Sequence, residues 1–277
     1  MNNPLVIYGM PASQPARVIF WACLLKELPF NVITSRDSVF YTDDTNPRGQ
    51  VPAIVDGDFC LAEMAAIVCY LADKHGWSDL YPEDFQVRAR IQEFLHRYHS
   101  LVRFATYKLM GAFVVRPLGI RDSVANSSGA IAHHIFNNPY SIMFQDLVKV
   151  SYGTDNPLQE GAEAVRAITD FLEKYHFKEG SPYVCNTESV SIADLVCYSE
   201  LGQLTFANLF DFKDFPKTTR WLQAMSEVPH HEPVHAYNVA LGDIVSVPNS
   251  LGRFRSANAI GFKALEQTGL VTVIAKD

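Results

Sequence analysis

The chain has 277 residues, 48% of them hydrophobic and 19% charged, which fits one or two globular domains. A formal net charge of −7 and the lack of any basic run argue against a nucleic-acid partner. No apolar run reaches the roughly 18 residues that a membrane span needs. The N-terminus also lacks the pattern of a signal peptide. The five cysteines are odd in number and show no CxxC spacing, which favours reduced thiols. We therefore expect a cytoplasmic protein without a membrane partner.

The first third of the chain predicts a β-α-β-β-α unit. Residues 5–8 form a short apolar strand, residues 17–28 show helical spacing of apolar side chains, and residues 30–33 form a second strand. An acidic loop over residues 37–44 follows. Because parallel strands need a crossover such as this helix, we expect the first two strands to be parallel.

Residues 46–76 contain the most informative stretch. Val51-Pro52 leads a short apolar run, Asp56-Gly57 is a hairpin signal, and a second strand returns before Glu63. From Glu63 onward, apolar residues at helical spacing predict a helix that ends at Gly76.

This order of parts resembles the glutathione-binding half of the thioredoxin-like domain in soluble glutathione transferases. The resemblance implies that the Val51–Pro52 bond is cis and that its backbone pairs with the cysteinyl part of glutathione. It also implies a glutathione site made by Gln50, Val51, Pro52, Glu63 and Met64. In the family a Glu-Ser pair opens the helix and holds the γ-glutamyl end, whereas here methionine stands at the serine position. A helix N-terminus suits this task, because its free N–H groups attract anions.

The loop before the first helix contains a Ser-Gln-Pro-x-Arg run, starting at Ser13. This run resembles the theta class of the family and its bacterial dehalogenase relatives, in which the serine donates a hydrogen bond to the glutathione sulfur. Such a donor favours the thiolate, which is the nucleophile. Taken alone, Ser13 followed by Pro15 favours an ordinary helix N-cap. Tyr8, at the end of the first strand, is the alternative donor.

The remainder predicts a linker over residues 77–85, an all-helical domain over residues 86–240 and an extension over residues 241–277. Residues 81–90 resemble the theta class, and the resemblance implies that Arg103 faces the active site. With Met10 it would line the acceptor pocket, although a solvated arginine on a helix rim is the plain alternative.

Three further patterns are structural. Ser191 and Asp194 form a Ser-x-x-Asp capping box at the start of a helix. His133-His134, His230-His231 and His235 lack the spacing of a metal site, so we expect surface histidines and no metal. Gly252, Gly261 and Gly269 weaken the prediction of a helix in the extension, and residues 270–274 are β-prone.

The sequence therefore predicts a glutathione transferase fold, with an α/β thioredoxin-like N-terminal domain and an all-α C-terminal domain. The resemblance implies attack of glutathione thiolate on an electrophilic carbon, with loss of halide or addition to an activated double bond. Glutathione would be a co-substrate, with no covalently bound cofactor, and the family resemblance implies a homodimer. The alternatives are a non-enzymatic binding or scaffold protein with this fold, and a thiol oxidoreductase, for which the loop at residues 11–15 lacks a cysteine.

Overall fold

A computed structural model describes residues 4–35, 51–118, 156–178 and 181–276. Within these ranges no helix combines the length and the apolar character that crossing a membrane requires. The five cysteines all lie in the described ranges and all carry free thiols.

The N-terminal unit is built on one sheet, with strand order β4-β3-β1-β2-β5. Strands β1 and β2 are parallel, and β3 and β4 run antiparallel to form the expected hairpin. The Val51–Pro52 peptide bond before β3 is cis, which confirms the prediction. The strands are β1 (Leu5–Tyr8), β2 (Phe30–Ser35), β3 (Ala53–Asp56), β4 (Phe59–Ala62) and β5 (Val271–Lys276).

Two helices complete this unit, α1 (Gln14–Leu25) and α2 (Met64–His75). Ser13 caps α1, and Pro15 lies in its first turn, where a missing N–H does no harm. Residues 16–24 of α1 are all buried, because the helix lies between the sheet and the helical domain. Gly76 ends α2 in the left-handed conformation, as the sequence predicts.

The helical domain begins at α3, which Asp84 caps through hydrogen bonds to the N–H groups of the first turn. Its central helix is buried on every side and packs against α1, α3 and α4. The helices are α3 (Phe85–Tyr98), α4 (Val102–Met110), α5 (Pro157–Tyr175), α6 (Ile192–Phe206), α7 (Pro216–Ser226) and α8 (His231–Leu241), and α6 is the central one. A π-helical turn (Gly111–Val115) directly follows α4.

The capping box at the start of α6 is confirmed. The Ser191 N–H and hydroxyl both donate to Asp194, at 2.9 and 2.7 Å. The same carboxylate accepts from the Val184 N–H and the Trp221 indole, at 2.8 and 2.9 Å. It therefore holds the start of α6, the preceding loop and α7 together.

The C-terminal extension differs from the weak helix expected. It forms a long helix, α9 (Leu251–Glu266), followed by β5, which pairs parallel to β2 along all six of its residues. Gly261 does not break α9, because it serves close packing: a Cβ at this position would lie 2.6 Å from the Cβ of Pro11. The extension is thus part of the N-terminal sheet.

Candidate functional site

The register of the sheet brings three separate stretches of sequence to one end of it. Tyr8 lies opposite Ala53 in the β1–β3 pair, and Ala53 lies opposite Ala62 in the β3–β4 pair. The loop to Ser13 follows Tyr8, Val51-Pro52 precedes Ala53, and Glu63-Met64 follows Ala62. The end of β1 at Tyr8 and the end of β4 at Ala62 are therefore two inter-strand spacings apart, about 10 Å.

Ser13 sits where its hydroxyl can serve two partners. Its backbone N–H donates to the Met10 carbonyl at 3.0 Å, which makes a tight turn. Its Oγ accepts from the Ala16 N–H at 3.4 Å, which caps α1. Capping uses a lone pair of the hydroxyl and leaves its proton for another acceptor. The N-cap and thiol-facing roles of Ser13 are therefore compatible.

The Val51–Pro52 dipeptide lies at the start of β3, with Pro52 buried and Val51 half-buried. Gln50, the other residue expected here, lies outside the described residues. Tyr8, the alternative donor, is half-buried at the end of β1.

Glu63 has an unusual backbone conformation at the start of α2. Its φ of 73° and ψ of 113° lie where residues other than glycine are rarely found, and its side chain is exposed. Conformations of this kind cost of order 1–3 kcal/mol and cluster at ligand sites. Glu63 thus places an exposed carboxylate at the N-terminus of α2.

Met64, which the resemblance places in the glutathione site, has a buried side chain. The residue is only 4% exposed and belongs to the hydrophobic core. Its thioether is therefore largely withdrawn from any ligand at the surface. What remains at the surface is the N-terminus of α2, which carries partial positive charge.

Arg17 is a buried neighbour of the Ser13 loop that the sequence-based roles missed. It is fully buried, and its guanidinium donates to the Pro11 carbonyl at 2.7 Å. It also donates to the Ser199 carbonyl and to Oε1 of Gln203, both at 3.1 Å on α6. Burial lowers the pKa of Arg17 to about 10, so it is still charged at neutral pH. The available signal was an arginine within an otherwise apolar helix.

Arg103 lies at the start of α4 and is already paired. Its Nη1 is 2.7 Å from Oε1 of Glu200, and its side chain is 15% exposed. Glu200 also accepts from the hydroxyls of Tyr98 and Thr106, at 2.8 and 2.7 Å. Contact between Arg103 and the electrophilic substrate stays a prediction. The ion pair with Glu200 also gives Arg103 a structural role.

The prediction of surface histidines is wrong for His235. That side chain is 1% exposed and lies against Trp21 and Tyr198, with ring centroids 4.9 and 5.1 Å away. His231 lies beside it and shares a 2.7 Å hydrogen bond with the Tyr198 hydroxyl. His133 and His134 lie outside the described residues. In the described part of the chain, no three His, Cys, Asp or Glu side chains are grouped to hold a metal.

The fold defines a class: a thioredoxin-like domain joined to a helical domain, with the candidate site at one end of the sheet. The sequence family of the glutathione S-transferase N-terminal domain matches residues 7–79. Glutathione S-transferase theta-3 of Mus musculus is 30% identical over 226 residues, covering 79% of this chain and 80% of the relative. The chain belongs to the glutathione S-transferase family.

Two further comparisons agree with this assignment. Dichloromethane dehalogenase of Methylophilus leisingeri is 28% identical over 253 residues, which is 86% of this chain and 81% of the relative. The structure of human glutathione transferase theta-2 in complex with glutathione and an unknown ligand superposes with a TM-score of 0.67. That comparison covers 95% of this chain and 99% of the other at 19% identity, and it shows the same fold.

Proposed function

We propose that this protein is an enzyme that conjugates glutathione to small electrophiles, including halogenated ones. The observation that carries the proposal is the sheet register, because it brings the loop of Ser13, Val51-Pro52 and Glu63 to one end of the sheet. Family membership supports the reaction class, and the dehalogenase relative supports a halogenated substrate.

Ser13 is the catalytic residue in this proposal. A free thiol with a pKa near ~8.5 is mostly protonated at neutral pH, so a donor that favours the thiolate raises the amount of nucleophile. The Ser13 hydroxyl donates to the glutathione sulfur while the Ala16 N–H keeps the oxygen in place. The thiolate then forms a carbon–sulfur bond, and the halide leaves with the electron pair of the carbon–halogen bond.

The tripeptide would be held by backbone and side-chain groups on both sides of the hairpin. Gln50, Val51 and Pro52 supply the backbone edge beside the cysteinyl residue. Glu63 and the N–H groups that open α2 take the γ-glutamyl amino and carboxylate groups. Methionine at position 64 offers its N–H but no hydroxyl, so we expect weaker glutathione binding than with serine.

The acceptor would bind between the loop with Met10 and the segment formed by α4 and the π-helical turn. Met10 is half-buried, and π-helical turns occur often at functional sites. Arg103 is at the rim of this region in the proposal, with its charge shared with Glu200.

We propose a homodimer located in the cytosol. Five free thiols suit a reducing compartment. Exposed Phe59, Phe85 and Phe104 provide apolar surface for a second copy. Light scattering on the purified protein measures the assembly, and a monomeric mass at micromolar concentration would remove this part of the proposal.

The central experiment has two steps. Retention on immobilised glutathione tests binding, and a conjugation assay with chlorinated alkanes and activated double bonds tests reaction. We expect retention, loss of free thiol and release of chloride from at least one chlorinated compound. Retention without reaction on the whole panel would favour the binding or scaffold protein. No retention and no reaction would remove the transferase proposal.

A further inference from the structure

The C-terminal helix reaches back to the loop that carries Ser13. Oδ1 of Asn258, on α9, accepts a hydrogen bond from the Ala12 N–H at 3.1 Å. Nδ2 of Asn258 donates to the Phe254 carbonyl one turn earlier at 3.0 Å, which fixes the orientation of the amide. Asn258 is 8% exposed, so water competes little for either bond.

The same peptide group is held from its other side. The carbonyl of Pro11 and the N–H of Ala12 belong to one trans peptide and point in opposite directions. Arg17 donates to that carbonyl at 2.7 Å, and Asn258 accepts from that N–H. The planar Pro11–Ala12 peptide group, which directly precedes Ser13, is thus held by α1 on one side and by α9 on the other.

The position of α9 is itself well determined. Gly261 lets the helix approach Pro11 so closely that no Cβ fits between them. Just after the helix, β5 pairs with β2 from Phe30–Val271 to Ser35–Lys276. These two contacts, both C-terminal to Asn258, hold the helix that carries its amide.

We propose that Asn258 is a positioning residue for the reaction, acting through the Pro11–Ala12 peptide on the direction of the Ser13 hydroxyl. The inference rests on the proposed role of Ser13. A hydrogen bond to a thiolate depends strongly on angle, and a misplacement near 1 Å can lower a rate about a hundredfold. Without Asn258, the part-buried Ala12 N–H would lose its acceptor, and the loop would turn to find one.

The test compares two substitutions of similar size. Asn258→Leu removes the acceptor, whereas Asn258→Asp keeps an oxygen facing the Ala12 N–H, loses the bond to Phe254 and adds a negative charge. For Asn258→Leu we expect kcat to fall about tenfold or more and KM for glutathione to change less than about twofold. The pH profile of thiolate formation should also move to higher pH. Asn258→Asp should restore most of kcat.

Two further variants keep the inference falsifiable. Asn258→Ala leaves space for a water at the Ala12 N–H, so it gives a folded protein even if the leucine variant does not fold, and it should show a smaller loss of the same kind. Ser256→Ala, exposed on the same helix, should behave like the wild type. Amide exchange at Ala12 reports the contact directly, and we expect it to quicken in the leucine and alanine variants.

The outcomes separate this inference from the proposed function. Equal kcat and pH profile in Asn258→Leu, with an active wild type, overturn the positioning role alone. Equal losses in the leucine and aspartate variants indicate a purely structural residue and also overturn it. A wild type that conjugates no electrophile removes the proposed function and this inference together.

Discussion

The indole N–H of Trp221 donates to Oδ1 of Asp194 at 2.9 Å, both groups being completely buried. This bond joins the start of α6 to α7. Four N–H or O–H groups donate to the oxygens of Asp194, and none of these bonds requires a proton on its carboxyl group. An ionised carboxylate therefore fits all four. Burial raises the pKa of Asp194 to about 6, and these hydrogen bonds act in the opposite direction.

Asp194→Asn should therefore lower stability and leave the chemistry unchanged. An amide nitrogen cannot accept, so at least one buried donor loses its partner. We expect a loss of about 3 kcal/mol in the free energy of unfolding, measured by urea denaturation. Asp211→Asn, at an exposed position, is the matched control and should unfold like the wild type. An unchanged midpoint in Asp194→Asn would contradict the structural role.

Ser13→Ala should lower kcat and leave the dissociation constant for glutathione nearly the same. The hydroxyl acts on the sulfur and not on the ends of the tripeptide. Removing one such donor reduces the rate by up to about 10²–10³ where charge develops in the transition state, and by less where the thiolate is already formed. Ser13→Thr keeps the hydroxyl and the cap, and serves as the control. Full activity in Ser13→Ala, with loss in Tyr8→Phe, would transfer the role to Tyr8.

Met64→Ser should tighten glutathione binding and weaken the fold. A hydrogen bond to a charged group is worth roughly 1.5–3 kcal/mol, so affinity should rise about ten- to a hundredfold. Loss of the buried methionine side chain should lower stability by about 2–5 kcal/mol, the range for Met→Ala in cores.

Met64→Ala is the matched control for this change, because it loses the same side chain without adding a hydroxyl. Calorimetric titration with glutathione distinguishes the two. Equal tightening in both variants would mean that space, and not the hydroxyl, limits binding. No change in either would mean that another group holds the γ-glutamyl carboxylate.

The buried histidines predict a loss of stability in acid. Burial lowers the pKa of His231 to about 4 and that of His235 well below its usual 6.5, to which Arg17 also contributes. The unfolded chain therefore binds protons that the folded protein does not. The free energy of unfolding contributed by these groups is complete above about pH 6.5 and falls as the pH drops toward 4.

His231→Gln tests this dependence, since glutamine accepts from the Tyr198 hydroxyl but does not titrate in this range. The free energy of unfolding in urea should differ less between pH 7.5 and pH 5 in the variant than in the wild type. His96→Gln, on the exposed face of α3, should leave the difference as it is. An identical difference in His231→Gln and the wild type would show that His231 already titrates normally.

The elements with strong local signals were predictable from the sequence. Asp56-Gly57 specifies the hairpin, Gly76 the end of α2, and Ser191 with Asp194 the start of α6. Each signal acts within a few residues, so it needs no knowledge of the rest of the fold. The hairpin also aligns Ala62 with Ala53, whereas the pairing of Ala53 with Tyr8, which brings in the loop of Ser13, joins strands far apart in sequence.

The C-terminal extension was not predictable in this way. Gly261 lowers helix propensity locally, and only its contact with Pro11 explains why it stands in α9. Strand β5 is β-prone, but its partner lies 241 positions earlier, from Val271 to Phe30. Pairing over such a distance leaves no local trace.

Buried polar groups were missed for a related reason. His235 has ordinary sequence neighbours, and Arg17 is conspicuous only as a charge within an apolar helix. The burial of both is decided by α6, which packs on α1 and α8. Arg103 was placed by resemblance, while its partner Glu200 lies 97 positions away. A sequence shows that such a residue is charged, and only the tertiary structure shows what neutralises that charge.

Because β5 closes the edge of the sheet beside β2, the N-terminal domain cannot finish folding as it leaves the ribosome. Its first four strands are synthesised early, and the fifth emerges only after the whole helical domain. Until then β2 presents an open edge, with unpaired N–H and C=O groups that another chain can bind. Folding of the two domains is therefore coupled in time, and a nascent chain halted before residue 271 carries an incomplete sheet that is a target for chaperones.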